Sequence, residues 1–270
     1  MTQAKNSLTQ QKPRFSVAIQ SDTYKNLINS TLGDPIRAAR FIASISSAVA
    51  VNPMLQDCDA GTILSGALVG ESLNLSPSPA LGHYYLVPYN DNVNNRKTAV
   101  FQLGWKGYVQ LAIRTGQYKN INVVAIKEGE LKSWNPLTEE LKVEIIEDDT
   151  KRESLQTIGY YAYFELLNGF RKEMYWSKAK MESHATRFSQ AYRNKNGSSF
   201  WLKDFDQMGF KTMLRQLISK WGIMSADLKI AIESDMSVIN ESGKKEYVDN
   251  VPDETPEISL EDKVEQNTLL

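Results

Sequence analysis

The sequence predicts an α+β fold: a single domain in which an antiparallel-rich sheet, built from hairpins, is packed by helices. Three observations predict it. Helix-like and strand-like patterns follow one another as helix, helix, hairpin, helix, strands, hairpin, helices. Two segments read as hairpins, the clearer one turning at Asn168-Gly169. No repeat period appears. A hydrophobic content of 41% over 270 residues provides an ordinary globular core, with no apolar run near the ~20 residues of a membrane span.

The elements follow in order. A polar arm is expected over residues 1–20. A helix starts at Ser21, a good cap, and Gly33-Asp34-Pro35 supplies a stop, a new cap and a proline suited to the next first turn. That second helix runs to about Asn52. A third, from Asp59, is packed with Gly, Ala and Ser, which permits close approach of another element of this chain or of a neighbouring subunit. Two prolines and a glycine in 75–82 break the helical pattern, and 83–103 reads as a hairpin around an Asn-rich loop. A helix follows at once. Strands are expected over 120–129, 131–134 and 141–148, then the hairpin 156–177, then helices over 177–188, 201–222 and 225–235. The domain proper is thus 21–239, and 240–270 is an acidic, proline-containing tail expected to be disordered.

A net charge of −1 conceals segregation. Residues 96–132 carry seven Lys/Arg against two Asp/Glu, and 171–220 carry eleven against four. Residues 133–153 carry three against seven, and 225–270 four against twelve. Basic blocks that meet in space create a field suited to a polyanion. A single cysteine, Cys58, excludes an internal disulfide framework, and the polar N-terminus has no apolar centre of a secretory signal, so a cytoplasmic location is expected.

Several chemistries lack their motifs. There is no phosphate-binding G-x-x-x-x-G-K-[ST] loop, no dinucleotide fingerprint and no G-x-S-x-G elbow. One cysteine and two histidines do not make a usual structural zinc site, and His83 and His184 suit packing or surface roles better than catalysis. No ATP, metal or other cofactor is expected, and the effect of Mg²⁺ is left open. Carboxylate clusters assembled from distant positions leave a metal-dependent nuclease as the alternative.

The segment FQLGWKGYVQLAIRTGQY, residues 101–118, divides into two faces at 100° per residue. Trp105, Tyr108, Val109, Leu111, Ala112 and Ile113 form the apolar arc, and Lys106, Gln110 and Arg114, four apart, line the other side. Such a stripe is a solvated face or a phosphate contact.

Two blocks resemble the RecT family of phage single-strand annealing proteins. One is LNLSPSPALGHYYLVPY (73–89), a small-residue helix leading into Tyr85, Leu86, Val87, Pro88 and Tyr89. The other is Gln102, Leu103, Gly104, Trp105, Lys106 and Gly107, continued by Arg114, Gly116 and Tyr118. The similarity spans most of 30–235. It implies a non-enzymatic protein that binds single-stranded DNA, assembles into rings or helical filaments, and pairs complementary strands without ATP in recombination and repair. It also implies the annealed duplex as product, a partner 5′-to-3′ exonuclease, a host single-strand-binding protein meeting the C-terminal region, and the cytoplasm of a bacterial host.

On that basis the residues expected to hold phosphates are Lys106 and Arg114 on one helix and Lys211 and Arg215 on another. Lys97, Lys119 and Lys127 lie on hairpin or strand positions, and Arg187, Arg193 and Lys195 lie on a mobile edge. Trp105, Tyr108 and Tyr118 are candidates for stacking on bases, the first two being drawn toward the core by their helical positions. Together these residues are expected to line one continuous groove.

Overall fold

The computed structural model describes residues 13–91, 94–197 and 199–248. The chain enters through α1 (Phe15–Ala18), α2 (Asp22–Leu32) and α3 (Pro35–Val51), then a 3-10 turn Pro53–Asp57 and α4 (Ala60–Ser72). The expected caps form. Ser21 accepts the Tyr24 amide, Gly33 ends α2 at φ +66°, and Asp34 accepts the Ile36 amide ahead of Pro35. The small residues of α4 serve contacts within the chain. A side chain at Gly70 would meet the Tyr84 ring, and one at Gly66 would meet Leu86.

β1 (Tyr84–Asp91) and β2 (Arg96–Leu103) form the first hairpin, in register from Tyr84↔Leu103 to Asp91↔Arg96. α5 (Trp105–Arg114) leads to β3 (Tyr118–Lys127), then to β4 (Leu131–Asn135), β5 (Glu140–Val143) and α6 (Asp149–Ser154). β6 (Thr157–Leu166) and β7 (Arg171–Ser177) make the second hairpin, with Gly169 at φ +85° in its turn. Four helices follow: α7 (Lys178–Phe188), α8 (Gln190–Arg193), α9 (Phe200–Lys203) and α10 (Phe205–Trp221). α11 (Ala226–Ser234), β8 (Ser237–Ile239) and β9 (Lys245–Tyr247) complete the described chain.

The sheet expected as one is three among the described residues, all with antiparallel pairing. Their orders are β1-β2-β8-β9, β3-β6-β7 and β4-β5. α10 packs against α5, β3, β6 and β7, and α4 packs against β1, β2 and β8. One apolar core runs through both halves, from Phe15 and Ile45 through Tyr84, Phe101 and Tyr108 to Tyr160, Phe164 and Leu217. Among the described residues no helix is long and apolar enough to cross a membrane.

Several boundaries differ from expectation for local reasons. The polar arm does not extend to residue 20, because Phe15 and Ile19 are each 1% exposed and anchor α1 in the core. The helix expected over 201–222 is broken at Asp204, whose side chain accepts the Gln207 amide and starts α10 afresh. β8 is three residues long, too short to show periodicity, yet it pairs with the centre of β2 through Val100↔Val238 and Phe101↔Ser237. Residues 240–248 turn back as β9, so the acidic tail begins later than expected, and 249–270 lie outside the described residues. Cys58 is buried, with its Sγ donating to the Thr98 carbonyl at 3.3 Å and its pKa pushed up to about 11 by burial.

The acidic segment after β3 is fastened by a buried ion pair between Glu130 and Arg152. Glu130 is wholly buried and accepts from the Lys127 amide at 2.7 Å, the Ile146 amide at 3.3 Å and Arg152 Nε at 2.6 Å. Arg152 also donates to the Ala125 carbonyl at 2.8 Å. Burial alone pushes the Glu130 carboxyl up, but Arg152 and the two amides outweigh it and hold the group below its usual range.

Two outcomes are expected. A methyl group at Gly107 would lie 2.2 Å from the His83 carbonyl oxygen, so Gly107→Ala should cost about 1–3 kcal/mol, read as a lower urea midpoint. The stability that Glu130 contributes is complete above its unfolded pKa and is lost as pH falls through its lower folded value. Glu130→Gln should therefore be less stable near neutrality and show a smaller further loss on acidification, measured by midpoints at stepped pH.

Candidate nucleic-acid interface

The relative placement of α5 and α10 is set by a buried carboxylate. Asp235 follows α11 and has 0% side-chain exposure. Its Oδ1 accepts the Leu103 amide at 2.9 Å and Lys211 Nζ at 2.7 Å. Its Oδ2 accepts Tyr108 Oη at 3.2 Å and lies 3.7 Å from Arg215 Nη1. Burial lowers the Lys211 pKa, against the opposing pull of Asp235, and raises that of Tyr108 well above the ordinary phenol range. The next residue, Met236, takes φ +64°, which reverses the chain from α11 into β8.

From the contact of these two helices, a chain of ring contacts runs over β6 and α9 to α7 and β7. Trp105 meets Phe210 at 5.9 Å, Phe210 meets Tyr160 at 6.1 Å, and Tyr160 meets Phe205 at 6.3 Å. Phe205 meets Trp201 at 5.1 Å, Trp201 meets His184 at 6.4 Å, and His184 meets both Phe188 at 4.6 Å and Trp176 at 5.5 Å. Cations stand over this seam. Lys106 lies 5.7 Å from the Trp105 centroid, Lys178 5.6 Å from Phe205, Lys180 4.5 Å from Trp176 and Arg187 5.0 Å from Phe188. Lys203 lies 5.5 Å from Phe200, the neighbour of Trp201 on α9.

Among the described residues, no carboxylate forms an ion pair with Lys106, Lys178, Lys180, Arg187 or Lys203. Two of the nearby acids are engaged internally, while Glu182 of α7 is exposed and close enough to raise the Tyr160 pKa. Asp204 caps α10, and Asp206 accepts Tyr160 Oη at 2.6 Å and Thr157 Oγ1 at 3.0 Å. Tyr160 and Trp201 are core rings, 0% and 7% exposed, but Trp105, Trp176, Phe188, Phe205 and Phe210 are half-buried, and half-buried rings rimmed by unpaired cations suit a polyanion with flat, stackable groups.

The residues expected from sequence divide sharply. Lys106 and Arg187 stand on the seam. Arg193 and Lys195 are exposed beside its α7–α8 end, but Arg193 Nη1 donates to the Thr186 and Arg187 carbonyls and closes the end of α7. Lys211 is corrected to a core residue, 7% exposed and held by Asp235, and Arg215 faces the same carboxylate. Arg114 donates to the Leu73 and Asn74 carbonyls at 2.8 and 2.9 Å and closes the end of α4. Lys119 pairs with Glu165 at 2.7 Å, and Lys97 pairs with Asp57 at 3.2 Å on the other large sheet. Lys127 is buried beside Glu130. Tyr118 accepts the Ile223 amide at 2.9 Å and packs on Phe164, and Tyr108 is wholly buried. Of the four cations expected to share one groove, Lys211 and Arg215 face Asp235 and Arg114 holds the end of α4.

Sequence reasoning missed Lys178, Lys180 and Lys203. The available signal was the interleaving of cations with rings in the second basic block: Trp176 before Lys178 and Lys180, and Phe200 three residues before Lys203. Among the described residues, no three His, Cys, Asp or Glu side chains form a group that could hold a metal ion.

Comparison with known proteins agrees with the resemblance read from the sequence. Residues 39–249 match the model of the RecT family. The chain is 42% identical to the uncharacterized protein YqaK of Bacillus subtilis (strain 168), over 96% of this chain and 91% of that protein. It is 25% identical to protein RecT of Escherichia coli (strain K12), over 80% of this chain and 78% of that protein.

Removing Lys211 leaves the buried Asp235 with the more distant Arg215 as its counter-charge. Lys211→Ala should therefore destabilise the fold by about 3–5 kcal/mol, seen as a large drop in the unfolding midpoint. Lys180→Ala, at an exposed cation, should leave that midpoint within about 0.5 kcal/mol.

Proposed function

Because the chain belongs to the RecT family, we propose that it binds single-stranded DNA and pairs complementary strands in recombination, without ATP and without acting as an enzyme. The observation that carries this is that the family match over 39–249 contains the whole seam of rings and unpaired cations. The rim cations hold phosphates, an interaction that supplies affinity without reading sequence. The half-buried rings offer edges and faces for transient stacking, while most base edges stay free to test a second strand. Pairing is driven by base stacking, on the order of 1.4 kcal/mol per step, so no fuel is required.

Successive copies in a ring or filament would align their seams into a longer track, which spreads the neutralising charge along both strands. The setting is a bacterial cytoplasm, with a 5′-to-3′ exonuclease exposing the strand. Contact with that enzyme, or with a host single-strand-binding protein, is assigned to the acidic C-terminal region.

Fluorescence anisotropy with a labelled oligonucleotide over a salt series tests the site. Wild-type protein should bind single strands and accelerate complementary pairing without nucleotide. Lys180→Ala with Lys203→Ala should weaken binding and reduce the slope of log affinity against log salt by about 1.4, from roughly 0.7 per phosphate contact on a single strand. An unchanged slope would remove these residues from the interface, and shortening of the strand in Mg²⁺ or Mn²⁺ would favour a nuclease.

A further inference from the structure

A second cleft, none of whose lining residues belongs to the ring seam, lies beside the start of α5. α3 and the chain 74–84 bound it, enclosing about 500 Å³, and its polar lining includes Asp34, Arg37, Arg40, Ser44, Ser76 and His83. α5 closes one end. Arg114 is fixed on the carbonyls of Leu73 and Asn74, the latter a lining residue, and the Lys106 side chain lies against Gly82 beside His83. The Gly104 amide donates to the His83 carbonyl at 2.8 Å, which holds the two elements together.

The charges in this cleft are unevenly committed. Arg37 pairs with Glu71 at 2.7 Å, and Asp34 is occupied by the Ile36 amide at 2.8 Å. Among the described residues, Arg40 has no carboxylate partner. His83 Nδ1 accepts the Ser76 amide at 3.3 Å, so the neutral ring carries its proton on Nε2 as a donor. Burial, then the charges of Arg114 and Lys106, lower the His83 pKa, which places both cations within electrostatic reach of the cleft. Arg37 and Arg40 thus line the cleft with Lys106 and Arg114 close by, against Glu71, which pairs with Arg37, and Asp34, which caps α3.

We propose that this cleft is a second phosphate-binding site, which holds the backbone of an incoming nucleic-acid strand while the ring seam holds the first. The inference rests on the function proposed above. Lys106 sits where the two sites meet, over Trp105 at the end of the seam and beside His83 at the mouth of the cleft. Two polyanions repel one another, and separate positive tracks that converge at one point let them approach before bases pair.

The test separates the two steps. Arg40 is exposed, so Arg40→Glu should fold normally. Its affinity for a first labelled strand, by anisotropy, should stay within about twofold of wild type, while pairing with a complementary strand, by stopped-flow energy transfer, should slow about tenfold. Lys180→Glu should fail earlier, at first-strand binding. The inference is overturned if Arg40→Glu pairs at the wild-type rate. It is also overturned if first-strand affinity falls as much as pairing, since the cleft then belongs to the first track. A changed assembly size on gel filtration would make this face a subunit contact and overturn it as well. Wild-type protein that neither binds single strands nor speeds their pairing would instead refute the function on which the inference depends.

Discussion

One buried carboxylate governs the arrangement of the molecule. Asp235 sits at the end of α11, and its two oxygens are satisfied from β2, α5 and α10 together. A lone charge in such a place would be untenable, so the partners must arrive for the chain to fold. Because they come from three elements distant in sequence, the carboxylate fixes how the first hairpin, the Trp105 helix and the long helix meet. The left-handed turn at Met236 then delivers β8 against the middle of β2, tying the end of the described chain back to its first sheet.

That constraint sorts the cations. A count of lysines and arginines treats all as surface charge, but the structure assigns them to different tasks. Lys211 and Arg215 balance Asp235, Arg152 balances Glu130, and Arg114 and Arg193 close helix ends. Five cations without a carboxylate, Lys106, Lys178, Lys180, Arg187 and Lys203, stand instead by aromatic rings, where the quadrupole of the ring holds a cation in place without neutralising it. Positive charge is thereby presented in a fixed geometry and stays available to an anion.

Much of the fold was legible. The caps at Ser21 and Asp34, the hairpin around Asn168-Gly169 and the helix ending at Phe188 follow from local chemistry, and they appear as expected. β8 was not legible, because three residues carry no period and its pairing with β2 spans more than a hundred positions. The division into three sheets is likewise a tertiary outcome that strand patterns do not contain. The site was half legible. Lys106 and Arg187, which stand by the ring seam, were among the residues expected, whereas Lys211 looked like a surface cation because its partner, Asp235, is 24 residues away. Lys178, Lys180 and Lys203 carried a visible signal, cations beside aromatics, which a search for cationic stripes alone passes over.

The single cysteine has a practical consequence. Cys58 is enclosed, its thiol hydrogen engaged by a backbone carbonyl and its ionisation suppressed, so at neutral pH it offers almost no thiolate to an electrophile. The native chain is therefore close to silent toward maleimide dyes. A reporter cysteine introduced beside the ring seam or at the rim of the α3 cleft would be labelled on a dark background, so each proposed site could be probed separately without first rebuilding the interior.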